Sequence, residues 1–200
     1  MKVLPARLLA AVLAAVLAAC TTIAKVDGEQ VVGGKLAVTL SQAWNKVTDP
    51  WDGGPYDMWT QEGIPLDHLR LWAGLGAGQP LVARPTVLLR APGQKDPRYP
   101  TFTTGLQPDR LVHLFEQLYA NEGAVRITRM EPAVFAGQKG VRFEFSLARR
   151  ADDLELRGVG WAAVHRDELY AATFAAPKLT FYQRLLPMAE AVVRSARIRG

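Results

Sequence analysis

Val141-Arg-Phe-Glu-Phe-Ser-Leu147 places an apolar side chain at every second position, with Arg142, Glu144 and Ser146 between them. Successive side chains of a β-strand point to opposite faces, so a period of two predicts a strand buried on one face and wet on the other. Its neighbours in sequence have the same character. Val125–Glu131, Gly140–Arg149, Leu154–His165 and Glu168–Ala176 are short apolar-rich runs bounded by turn residues, and Arg166-Asp167 is a tight turn between the last two. The expected result is an antiparallel meander.

On either side of the meander the period changes. Leu111, Leu114, Phe115, Leu118 and Tyr119 recur at three and four, which predicts an amphipathic helix over 108–122. Pro108 suits its first turn, Asp109 the positive end of its dipole and Gly123 its stop. A second helix is expected over 180–197, with Thr180 and Gln183 at capping-box spacing and an apolar stripe of Phe181, Leu185, Met188, Val192 and Val193. Pro187 inside it predicts a kink or a later start. Gly158, Gly160, Ala162 and Val164 share one strand face on which a helix lies close. The fold class expected is therefore α+β: an antiparallel β-sheet with two helices packed on one face. In the first half, Lys35–Leu40, Tyr56–Glu62, Leu66–Trp72 and Leu81–Arg90 are expected strands, and 91–107, with Pro92, Pro97 and Pro100, a long loop.

The first twenty residues have a different logic. Lys2 and Arg7 precede an uncharged Leu/Ala/Val run, Leu8–Leu17, which is too short to span a bilayer permanently. Ala18, Ala19 and the single cysteine, Cys20, follow. Leu17-Ala18-Ala19-Cys20 resembles the lipobox of bacterial lipoproteins. That resemblance implies removal of 1–19, a diacylglycerol thioether on Cys20 and acylation, commonly with palmitate, of the new amino group. Several acyl chains together hold a protein stably at a membrane, each buried methylene contributing about 0.8 kcal/mol. Thr21 rather than Asp after the cysteine implies, by the same resemblance, the periplasmic face of the outer membrane. Residues 20–34, with Gly28, Gly33 and Gly34, are expected to be a lipidated tether, and 35–200 a single periplasmic domain.

The helix 108–122, the strand order after it, the Glu168-Leu-Tyr170 entry to the last strand and a final helix ending in Ser195-Ala-Arg-Ile198 resemble the fold family of PsbP and the DcrB-type bacterial lipoproteins. Members of that family generally act as non-catalytic accessory proteins, and no residue-level role carries over.

Composition and motifs narrow the chemistry. Apolar residues make up 49% and charged residues 22%, which excludes global disorder. A lone cysteine excludes an intrachain disulfide and multi-cysteine metal sites. The net charge is +5, and without Lys2 and Arg7 it is +3, 22 basic residues against 19 acidic, too scattered for a nucleic-acid partner. His68, His113 and His165 are far apart; His113 and Glu116 are one helical turn from each other, a ligand-pair spacing, but the solvated reading of such a pair is the commoner one. Ser41, Ser146 and Ser195 lie in no nucleophile motif. Gly74-Leu-Gly-Ala-Gly78 lacks both the third glycine of a dinucleotide fingerprint and the lysine of a P-loop, and reads as a turn. Asp152-Asp153 beside Arg149-Arg150 reads as a charged hairpin tip.

No catalytic residue, metal or cofactor is expected. What remains is aromatic: Trp44, Trp51, Trp59 and Trp72, four of the five tryptophans, lie close in sequence with Tyr56 among them. They fit core packing or a surface for glycan, lipid or protein. Core packing is the better account of Trp59 and Trp72, while Trp51-Asp-Gly-Gly-Pro-Tyr56 has loop chemistry and an aromatic there is less easily core. The candidate binding residues are therefore Trp51 and Tyr56, with Trp44 and Trp59 beside them. The function expected is a lipid-anchored periplasmic accessory or binding module with an envelope protein partner. The alternatives are an envelope hydrolase with dispersed acidic residues, marked by a cleft of converging carboxylates, and a carrier with a dry apolar cavity.

Overall fold

The alternation over Val141–Leu147 is realised as the centre of a long strand. A computed structural model describes residues 22–48, 54–83 and 99–199. Their elements are β1 (Thr22–Val32), β2 (Leu36–Thr48), β3 (Tyr56–Thr60), β4 (His68–Leu75), α1 (Pro108–Tyr119), β5 (Gly123–Phe135), β6 (Gln138–Arg149), β7 (Glu155–His165), β8 (Glu168–Pro177), α2 (Phe181–Ser195) and β9 (Arg197–Ile198). The strands form one antiparallel sheet in the order β1-β2-β3-β4-β8-β7-β6-β5, with β9 on β2. The class is α+β and the second half is a meander, β5 to β8, as the periodicity predicts.

The two helices do not share a face. On β8, Tyr170, Ala172, Phe174 and Ala176 pack in one core with Leu185, Ala189 and Val192 of α2. The alternate residues Leu169, Ala171 and Ala175 pack in another with Leu111, Phe115 and Leu118 of α1. Alternation along a strand puts these sets on opposite faces, so α1 and α2 sandwich the sheet. The physical reason is in β8 itself. Leu169–Pro177 is buried at every position, the signature of a strand covered on both sides. Gly158 and Gly160 do lie on the α1 face, but the rings of Phe145 and Phe143, their register partners, fill the space a β-carbon would take.

Other expectations shift at the N-terminal end. The stretch expected to be a loose tether is largely strand β1, paired with β2 along its length. Its glycines mark a bulge at Gly28 and a turn at Gly33-Gly34, all with positive φ, rather than slack. At α2 the Thr180 side chain makes no cap hydrogen bond, Thr180 itself having φ 69°, and the helix runs from Phe181 to Ser195 with Pro187 inside it. Pro108 opens α1 as expected, and Arg166-Asp167 turns the chain with φ 48° and 61°, the hand that matches strand twist. Of the expected strand Leu81–Arg90, residues 84–90 lie outside the described residues, and Leu81 is a buried loop residue on the α1 side.

Candidate functional site

Cys20 and Trp51 lie outside the described residues. Trp44 on β2 and Trp59 on β3 are each 1% exposed and belong to the core beneath α2. They are packing residues in this fold, because β2 and β3 turn these positions inward against Leu69, Leu71 and Trp161. Tyr56 differs. It opens β3 half-buried on the α1 face, its ring 5.1 Å from that of Trp72, whose indole N–H donates to Leu81 O at 2.9 Å.

Tyr56 leads to a group of polar side chains that no motif announces. The Arg70 guanidinium, on β4, stands 5.5 Å from the Tyr56 ring centre and 5.4 Å from that of Tyr119 at the end of α1. Arg70 Nη1 donates to Glu122 Oε1 at 2.8 Å, closing an ion pair that is mostly shielded from water. Tyr119 and Thr173 share a buried hydroxyl hydrogen bond of 2.7 Å, and His68 stacks beside Tyr119 at 6.2 Å. Two atoms of this group are left over: His68 Nε2 and Arg70 Nε are buried with no hydrogen-bond partner among the described residues.

The electrostatics follow from burial and from Arg70. Burial, assisted by the Arg70 charge, lowers His68 to about 3, so the imidazole is neutral at ordinary pH. Burial raises Tyr119 to about 12. Burial alone would raise Glu122 and lower Arg70, but their mutual attraction outweighs it, leaving the carboxyl below its usual range and the guanidinium above. A permanently charged pair, a neutral imidazole and a neutral phenol make poor proton carriers near pH 7. The group instead fastens the end of α1 and the start of β5 to β4.

The remaining sequence candidates also have structural partners. His113 Nδ1 lies 2.9 Å from Glu116 Oε2 and its Nε2 lies 2.8 Å from Gln117 Nε2, all on the exposed side of α1. No group of three or more His, Cys, Asp or Glu with metal-binding geometry occurs among the described residues. Arg149 grips Asp152 through two hydrogen bonds, 2.9 and 2.6 Å, at the β6–β7 hairpin tip. Asp67, fully buried and unremarked in the sequence, accepts from Thr60 Oγ1, Gln61 N and Glu62 N at 2.7 to 2.8 Å and shapes the β3–β4 connection.

No family model matches the sequence, and no curated protein matches it. Solved structures do. CyanoP, the cyanobacterial PsbP of Synechocystis sp. PCC 6803, aligns over 90% of this chain and 94% of its own with a TM-score of 0.55 and 9% identity. The fold is PsbP-like. LpqN of Mycobacterium tuberculosis, described as involved in cell envelope biogenesis, aligns over 90% of this chain and 92% of its own at a TM-score of 0.46 and 8% identity. The Ran-binding protein Mog1p of Saccharomyces cerevisiae aligns over 90% and 96% at 0.42 and 8%. At this identity the PsbP likeness concerns the path of the chain: a broad antiparallel sheet with helices on it. Residue roles do not follow from it.

Proposed function

We propose that this chain is a lipoprotein of the bacterial cell envelope, anchored through Cys20 at the periplasmic face of the outer membrane. Its PsbP-like domain serves there as a non-catalytic accessory module for an envelope protein partner. The observation that carries the reading is the leader: a basic start, an apolar run and Leu17-Ala18-Ala19-Cys20 containing the chain's single cysteine. The fold adds a constraint. With β1 beginning at Thr22, only Thr21 separates it from Cys20, a span of about 7 Å even fully extended. A lipid on Cys20 therefore keeps the sheet close against the membrane surface.

The side chains favour binding over hydrolysis. Acid catalysis at a glycosidic bond needs two carboxyls facing one substrate, whereas many of the carboxylates here are engaged with cations: Glu122 with Arg70, Asp57 with Lys46, Glu131 and Glu144 with Arg142, Glu62 with Arg184, Glu155 with Lys178. Trp44 and Trp59 are consumed by the core, so an apolar carrier cavity built on them is less favoured than a binding surface elsewhere.

The test is intact mass and alkyne-palmitate labelling of the full-length chain expressed in a Gram-negative host. Labelled protein of lipidated mass in the outer-membrane fraction, with no label on Cys20→Ser, is the expected result. An unmodified Cys20 in membrane-extracted protein overturns the anchoring, and lipidated protein in the inner-membrane fraction overturns the address.

A further inference from the structure

A cleft of about 540 Å³ opens where four segments distant in sequence meet: the β1–β2 turn at Lys35, the β5–β6 turn, the β7–β8 turn at His165 and Arg166, and residues 196–199. Backbone pairing builds it. β9 lies on Leu36 and Ala37 of β2, and Arg199 N–H donates to Lys35 O at 2.8 Å. The tight Arg166-Asp167 turn brings its arginine to the same rim.

The charge of this cleft is one-sided. Lys35, Arg166, Arg197 and Arg199 line it, and Glu168 is the carboxylate in the lining. Glu168 is already engaged by Lys35 and by the Tyr170 hydroxyl, which donates at 3.1 Å, and Arg197 is held by Glu29 at 2.6 Å. Four cations against these two carboxylates leave +2. Arg166 and Arg199 have no carboxylate partner among the described residues, and both face the cleft. Elsewhere on the surface Arg129, Arg142, Arg149, Arg157 and Arg184 are each paired with an acid, whereas Arg126 and Arg150, like the two cleft arginines, are in no ion pair among the described residues. What the cleft adds is two such arginines in one concavity. Like charges gathered in a concavity repel one another and concentrate an anion. The guanidinium is a planar fork that matches phosphoryl oxygens two at a time. A tetrahedral phosphoryl group offers oxygens to two forks at once, which a planar carboxylate does less well. The volume exceeds that of a phosphate, and Ala136, Ala196 and Ile198 add apolar wall for a small attached group.

We propose that this cleft is a phosphoryl-binding site, with Arg166 and Arg199 gripping the oxygens of a phosphomonoester or diphosphate and the Lys35–Glu168 pair forming part of the lining. The site does not depend on how the chain is anchored. Its phosphoryl group comes from a lipid headgroup or from a soluble phosphate compound, and the chemistry of the grip is the same.

The experiment is calorimetric titration of the full-length chain in detergent with pyrophosphate at low salt, followed by displacement with glycerol 3-phosphate or short-chain dihexanoyl phosphatidic acid. Arg166→Asn with Arg199→Gln removes both forks, Asn being chosen because position 166 has a positive φ. Saturable binding that weakens by about tenfold or more in this double variant is the expected result. The variant's circular dichroism and thermal midpoint should match wild type, since both side chains lie outside the core. Arg166→Lys with Arg199→Lys should fall between the two. Stronger displacement by phosphatidic acid than by glycerol 3-phosphate assigns a lipid headgroup, and equal displacement assigns a soluble phosphate. No saturable binding by wild type, or equal affinity in the folded double variant, overturns the site.

Discussion

Phe145 on β6 lies across Gly158 on β7, its register partner, so closely that a β-carbon at Gly158 would overlap the ring. Phe143 and Gly160 repeat the arrangement two residues along. Glycine normally weakens a strand interior. Here its missing side chain is the space that lets two phenyl rings lie flat between the sheet and α1, where Phe143 meets Phe115 at 5.3 Å and Phe145 meets Tyr119 at 4.5 Å.

The pair predicts a coupled stability cycle. Phe145→Ala should destabilise the fold by about 3–5 kcal/mol through the cavity it leaves. Gly158→Ala should cost about 1–3 kcal/mol through overpacking. The double variant should lose less than the sum, because removing the ring makes room for the new methyl group. Urea unfolding of the four proteins measures this; strict additivity would show that the two residues do not meet.

Arg70 and Glu122 should also reveal themselves in unfolding. Arg70 is 12% exposed in its side chain and Glu122 27%. Removing one partner strands the other beneath Tyr56 and Tyr119, at a cost of about 3–5 kcal/mol for a buried pair. Glu122→Gln should therefore lower the denaturant midpoint clearly, whereas Arg184→Ala, at the exposed pair with Glu62, should shift it by about 1 kcal/mol or less. Equal effects from the two variants would contradict the shielded position of Arg70.

Acid should weaken the fold in a defined window. The unfolded chain takes up the His68 proton near pH 6.5, while the folded chain does so only near 3. The folding contribution of a neutral His68 is complete above about pH 6.5 and is lost progressively as pH falls toward 3, by at most about 1.4 kcal/mol per pH unit. Glu122, held below its usual range by Arg70, is lost in the same direction at lower pH. His68→Phe should flatten the fall in urea midpoint between pH 6.5 and 4.5. An unchanged slope in that variant would place the titrating group elsewhere.

Trp44 should behave as core. It is 1% exposed beneath α2, so Trp44→Ala should destabilise by about 3–5 kcal/mol, visible as a lower thermal midpoint in circular dichroism. A variant that unfolds at the wild-type temperature would put this indole at a surface.

Much of this architecture is legible one element at a time. The two-residue alternation of β6, the helical stripe of α1 and the Arg166-Asp167 turn depend on backbone periodicity and local φ preferences, which a few neighbouring residues determine. The charged tip at Arg149 and Asp152 is equally local. The uninterrupted apolar run of β8 even encodes that both faces are covered. Read alone, though, it does not say which helix covers which face, so the expectation of one shared face follows from the small residues of β7.

What only the tertiary structure decided is everything that joins distant parts of the chain. Residues 22–32 are strand because β2 completes their hydrogen bonds, and Trp44 and Trp59 are core because α2, more than a hundred residues later, closes over them. Arg70 meets Tyr119 and Glu122, the latter 52 residues away in sequence, and Lys35, Arg166 and Arg199 surround one cleft from three separate segments. Sequence patterns report short-range periodicity and backbone preference, which settle the elements. Whether a tryptophan is buried or an arginine left without a carboxylate depends on which surfaces the whole chain brings together.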